Sequence, residues 1–155
     1  MRLEDIEAIK QLKYSYFRLL DLKRFSELGE LLSEDCTASY GDGSAELVGR
    51  TAIVKFLDES LSNKAVVSMH HGHHPEITFN SDTTADGVWY LQYRVIVPGF
   101  DLEVSGSAYY RDSYEKVEGN WVITHTGYDR VFEERRKHSS HAITSFSSRF
   151  EPGAS

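Results

Sequence analysis

An α+β domain, with helices packed on one face of a strongly bent antiparallel sheet, is what this sequence predicts. Three observations carry that reading. Apolar residues recur at three- and four-residue steps through the first third of the chain. After residue 64 the period drops to two, and four alternating segments then follow one another with turn-forming residues between them. At 155 residues the chain suits one domain, long enough to bury a core without metal or disulfide staples.

The first element reads as a helix, because Ile6, Ile9, Leu12, Tyr16, Leu19 and Leu20 share the helical step and no Pro or Gly intervenes before Gly29. Asp21 falls at its end. A second short apolar pattern holds Phe25, Leu28, Leu31 and Leu32. "CTASYGDG" reads as a brief strand closing in a Gly-rich turn, with Tyr40 its last aromatic. In "GRTAIVKFLDESL", Thr51 suits a helix cap, and Ile53, Phe56, Leu57 and Leu61 supply an apolar stripe.

Strands follow. "AVVSMHHGHHPEITF" and "TADGVWYLQYRVIV" are separated by the turn "NSDT", while "LEVSGSAYYRDSYEKV" and "NWVITHTGYDRVF" are joined by the hairpin-like "EGN". Alternation puts Ala85, Gly87, Trp89, Leu91 and Tyr93 on one face, and Val88, Tyr90, Gln92 and Arg94 on the other. Both faces carry large apolar groups. One is expected to meet the helices and a cavity, the other a second subunit, so a homo-oligomer (dimer or trimer) is expected. The domain is placed at residues 1–134 and a partly irregular, Ser-rich tail at 135–155. There Ile143, Phe146 and Phe150 could anchor the tail or plug a cavity, and the basic run Arg135, Arg136 and Lys137 reads as a solvated helix or tail segment.

Composition narrows the function classes. A net charge of −7 argues against nucleic acid or an anionic membrane as partner. Cys36 is the single cysteine, so no internal disulfide forms, and without flanking cations it reads as a buried bystander. "MRLEDIEAIK" lacks the apolar core of a signal peptide, which leaves a cytoplasmic protein as the expectation.

The stretch "SMHHGHHPEITF" holds His70, His71, His73 and His74. In an ideal strand His70 and His74 face one way and His71 and His73 the other, with Gly72 and Pro75 suited to a bulge. A metal site needs three or four converging ligands, usually with acidic or Cys support, and no such spacing is present, so neither metal nor cofactor is expected. Trp89 and Tyr93 share their face with small Ala85 and Gly87, a mix that leaves room for a flat ligand and equally suits a packed core.

The order of elements, together with "SYFRLLD", "SMHHGHHPEI", "GVWYL" and "YEKVEGNWVITHTGYDRVFEE", resembles the SnoaL-like group of the nuclear transport factor 2-like superfamily. Within it the likeness is to the bile acid 7α-dehydratases and, more distantly, the scytalone dehydratases. It covers most of residues 5 to 134. The resemblance implies a cone-shaped α+β barrel whose curved sheet wraps the N-terminal helices and leaves a deep apolar pocket. It also implies His70 as general base, Tyr16, Asp21 and Tyr40 around it, and Arg130 near the cavity. The family's second acid, in a "WYLED" context, falls here on Tyr93 in "WYLQY", and "VPGFD" is shorter than its counterpart.

The expected function is therefore a cofactor-independent lyase, dehydratase-like, acting on a hydrophobic ring-containing hydroxylated compound. His70 would take the proton, Asp21 hold the imidazole, Tyr16 and Tyr40 assist the oxyanion or leaving group, and Arg130, Trp89 and Tyr93 contact substrate. The same base could release a hydroxymethyl group as formaldehyde, or isomerise. A ligand-binding or scaffolding domain is the rival from another class, and a metal-dependent enzyme a third.

Overall fold

The computed structural model describes residues 2–141, 143, 145, 146 and 148–150. Three helices come from the first third: α1 (Leu3–Asp21), α2 (Phe25–Gly29) and α3 (Arg50–Leu61). Six strands complete the domain: β1 (Leu32–Tyr40), β2 (Ala45–Val48), β3 (Val67–Phe79), β4 (Thr84–Val97), β5 (Leu102–Val117) and β6 (Asn120–Lys137). They form one sheet in the order β2-β1-β6-β5-β4-β3. Only the β1–β6 pair is parallel, which closes the C-terminal strand against the first one.

The inward face predicted for β4 is the buried one: Ala85, Trp89, Leu91 and Tyr93 are nearly sealed, while Asp86, Tyr90 and Gln92 are exposed. The β3 bulge is present as well. Pairing with β4 shifts register between His73 and Glu76, where His74 adopts a left-handed φ of 46°.

Several expectations change. Ala45–Val48 is a strand, too short for its alternation to register in the sequence, and it pairs back on β1 through the turn after Tyr40. The basic run is neither helix nor tail: Arg135, Arg136 and Lys137 extend β6 opposite Val104, Glu103 and Leu102. Strand pairing thus outlasts the boundary expected at residue 134. Of the tail anchors, Phe146 meets the His138 ring edge-on, and Phe150 lies under the Lys23 ammonium. Phe146 and Phe150 line a hollow with Val67 and Pro98, apart from the cavity that His70 lines, and residues 151–155 lie outside the described residues. No helix among the described residues is long and apolar enough to cross a membrane.

The buried stripe of α1 runs through Ile9, Lys13, Tyr16, Phe17 and Leu20, so a lysine occupies a core position. Its ammonium lies 2.7 Å from Asp112 of β5, and both side chains are completely buried. Asp112 also accepts hydrogen bonds from Tyr114 (2.7 Å) and Thr126 (2.8 Å), and Trp89 donates to Tyr114 (2.8 Å). The Lys13 ammonium sits 3.7 Å from the Tyr110 ring centre and 4.4 Å from that of Tyr16. Burial pulls the Lys13 pKa below the usual lysine value, against the opposing pull of Asp112. One turn further on, Phe17 packs against β3 at Gly72, where a Cβ would come within 2.2 Å of the ring. Only glycine fits there.

Removing one member of a buried pair strands the other charge. Lys13→Met should lower the unfolding free energy by roughly 3–5 kcal/mol, read by urea denaturation, and adding Asp112→Leu should recover part of the loss.

Candidate functional site

Asp21 is the last residue of α1, and its carboxylate reaches the strand packed beneath it. One oxygen accepts from His70 Nδ1 at 2.7 Å and from Ser68 Oγ at 2.8 Å; the other accepts from the His70 backbone N–H at 2.9 Å. A carboxylate facing Nδ1 fixes the tautomer: Nδ1 carries the proton and Nε2 is left with a free lone pair. Ser68 was not singled out by sequence. Its place two residues before His70, on the same face of β3, is the signal that could have found it.

His70 lines a cavity of about 370 Å³, within the usual range for small-molecule sites. Its walls are largely apolar, built by Leu20 and Leu57 from the helices and by Leu91, Val95 and Val104 from the sheet. Phe56 stacks on Tyr40, ring centres 5.8 Å apart, and both rings face the space.

Tyr16 lies one layer behind. It is fully buried and shares a 2.8 Å hydrogen bond with the Tyr40 hydroxyl, while Tyr40 reaches the cavity itself. Burial pushes both phenols well above their ordinary pKa, as it does Tyr110 at the cavity floor. These hydroxyls stay protonated and serve as hydrogen-bond donors.

Arg130 and Tyr93 both line the cavity, in a setting the sequence did not reveal. Arg130 Nη1 is 2.8 Å from Asp42, and Nε is 3.1 Å from Glu133. Burial opposes the guanidinium charge, but Asp42 and the neighbouring groups outweigh it and raise the Arg130 pKa. The Arg130 backbone and side chain in turn hold the Asp42 carboxyl below its usual value. Tyr93 donates to Glu133 at 2.9 Å, and its own pKa is pushed up to about 12 by burial and then by that carboxylate. Glu133 also lines the cavity and, like Ser68, was not singled out by sequence.

Trp89 is a correction. It is buried on the predicted face but lies outside this cavity, its indole N–H committed to Tyr114 in the Lys13–Asp112 network. Alternation assigns a side chain to a face without saying how far along the strand the cavity extends. His71, His73 and His74 stand clear of the cavity, with neighbouring ring centres 5.7–5.8 Å apart. Among the described residues no group of three His, Cys, Asp or Glu side chains converges as metal ligands. The Cys36 thiol is buried, which pushes its pKa up to about 12.

Comparison with known proteins bears on this arrangement. The profile of a SnoaL-like domain matches residues 1–127. A solved structure from Novosphingobium aromaticivorans, provisionally named a scytalone dehydratase, superposes with a TM-score of 0.77 at 24% identity over 85% of this chain and 87% of that one. A hexachlorocyclohexane dehydrochlorinase from Novosphingobium barchaimii gives 0.81 at 15% identity, over 95% and 97%. An NTF2-like protein with a cystatin-like fold, also from N. aromaticivorans, gives 0.69 at 23% over 83% of each chain. At these identities the likeness establishes the fold, and the expected cone-shaped α+β barrel is the one present.

The short Nδ1 contact has a spectroscopic consequence. Proton NMR should show a downfield imidazole N–H resonance that disappears in Asp21→Ala and persists in Tyr40→Phe.

Proposed function

The chain belongs to the SnoaL-like domain family, and we propose that it is a cofactor-free lyase acting on a hydrophobic, ring-containing, hydroxylated compound. The observation that carries this reading is the Asp21–His70 pair, 2.7 Å apart, with His70 on the wall of a mostly apolar cavity and, on its other side, lining a more open hollow together with Asp21. Two of the structural neighbours bear the names of a dehydratase and a dehydrochlorinase, and both names denote eliminations.

In this reading His70 Nε2 removes a proton from a carbon next to a carbonyl or conjugated ring. Less acidic carbons would present a barrier that positioned hydrogen bonds cannot lower enough. The imidazolium that forms is held by the Asp21 carboxylate, which keeps the ring oriented. Tyr40, backed by Tyr16, donates to the oxygen on which negative charge develops, either the carbonyl or the departing hydroxide. The electron pair left on carbon expels hydroxide, which takes the proton back from the imidazolium and departs as water, so dehydration results and the neutral base is restored. Should His70 take a hydroxyl proton instead, the same layout would release a hydroxymethyl group as formaldehyde. The absence of the family's acid at Tyr93 favours keeping that variant.

The test is turnover of ring-bearing β-hydroxy ketones, followed by the ultraviolet absorbance of the conjugated product and by a formaldehyde assay. His70→Ala should lose roughly 10²–10⁴-fold in kcat, and Asp21→Asn should fall in the same direction. Activity unchanged in His70→Ala would remove the proposed base.

The same reading includes self-association. Tyr90, Tyr109 and Phe132 lie on or beside the outer sheet face and are 37–53% exposed, an apolar surface that a second copy would cover. Light scattering at micromolar concentration should report a dimer or trimer. A single 17.7 kDa species would contradict it.

A further inference from the structure

Four consecutive strands place one transverse row of partners across the sheet. His70 on β3 pairs with Tyr93 on β4, Tyr93 with Gly106 on β5, and Gly106 with Glu133 on β6. Gly106 leaves the middle of that row empty. A Cβ there would sit 2.6 Å from the Tyr93 hydroxyl and 2.4 Å from the Phe132 carbonyl oxygen. The phenol therefore lies across β5 and reaches the Glu133 carboxylate at 2.9 Å.

The charges around Glu133 are already balanced. One of its oxygens faces Arg130 Nε at 3.1 Å, the other accepts from Arg135 at 2.9 Å, and Arg130 spends Nη1 on Asp42 at 2.8 Å. Two guanidinium groups thus meet two carboxylates. An anionic ligand entering here would find no uncompensated cation and would face Glu133 at close range. A neutral donor meets a different surface. The Tyr93 proton is committed to Glu133, and Arg130 approaches the phenol oxygen from its other side. The Glu133 carboxylate, with more acceptor sites than these neighbouring donors fill, is the group that takes a further hydrogen bond, and Tyr93 holds it in place.

We infer that Tyr93 and Glu133 form a specificity subsite that accepts a hydrogen bond from a neutral hydroxyl on the ligand and rejects carboxylates and phosphates. This rests on the proposed reading of the His70 cavity as a substrate site, and it assigns the substrate's second polar group. Arg130, expected to contact substrate, is in this arrangement committed to Asp42 and Glu133. The polar end of the cavity favours a neutral donor over an acceptor of the same shape.

Three probes share one ring system and differ only in this group: 2-naphthol, 2-methoxynaphthalene and 2-naphthoate. Binding is measured by equilibrium dialysis at pH 7, with no turnover required. The unaltered protein should bind the naphthol about tenfold more tightly than the ether and also more tightly than the carboxylate. Tyr93→Phe should keep a naphthol preference, because the Glu133 carboxylate still accepts, while naphthoate stays rejected. Glu133→Gln should lower the same ratio and, by freeing Arg130 of one counter-charge, tighten naphthoate binding about tenfold. His70→Ala should leave the naphthol preference intact.

Naphthoate binding as tight as naphthol in the unaltered protein would overturn the inference. So would ratios that do not change in Glu133→Gln, or no binding of any probe at millimolar concentration. A preference lost in His70→Ala and kept in Glu133→Gln would also overturn it, since the donor would then be read by the imidazole; the proton-abstraction reading would stand. Conversely, a preserved preference with no turnover of any hydroxy ketone would sink the lyase and leave the subsite.

Discussion

The attachment of α1 to the sheet governs everything at the cavity, and the buried Lys13–Asp112 pair is its innermost point. A fully buried ammonium tolerates little displacement, because moving it strips away the carboxylate and the aromatic faces that replace its water. Two further contacts follow at four-residue steps along the same helix: Phe17 against Gly72, then Asp21 against His70. Three successive turns are thus pinned to the sheet by an ion pair, a ring-on-backbone contact and a hydrogen-bonded carboxylate. Tyr16 lies between the first and second of these, so its hydroxyl inherits a fixed position behind Tyr40.

Charge in this domain is compartmentalised. The Lys13–Asp112 pair is sealed beneath the cavity floor, Asp21 is satisfied by three donors at one wall, and Arg130 is balanced by Asp42 and Glu133 at another. Leucine and valine side chains occupy the space between. Such an interior makes each remaining polar atom matter, because water is scarce and an unpaired donor or acceptor costs about 1–3 kcal/mol. The free imidazole nitrogen and the Tyr40 hydroxyl are the atoms best placed to use that environment.

Much of this was legible in the residues. Period-two alternation fixed the long strands and the inward face of β4, because a half-buried sheet forces that pattern on any sequence. The pairing of Asp21 with His70, 49 positions apart, has no local signature and came only through family resemblance. Lys13 escaped notice because an isolated lysine on a helix reads as solvated; its partner lies about a hundred residues away. Glu133 escaped for a geometric reason. The β5–β6 register shifts between Ser107 and Ala108, leaving Val131 unpaired, so Arg130 and Glu133 both face inward although they are three residues apart. Simple alternation would have turned Glu133 toward the outside.

The cross-strand row from His70 to Glu133 also sets a length. Neighbouring strands lie roughly 4.8 Å apart, so three such intervals separate the ends of the row by about 14 Å along the sheet. That span belongs to the backbone and survives any exchange of side chains. Because the sheet is curved and its side chains project into the hollow, the groups at the two ends stand closer together than that path along the backbone, and a compound gripped at both ends spans less than the width of four flat strands.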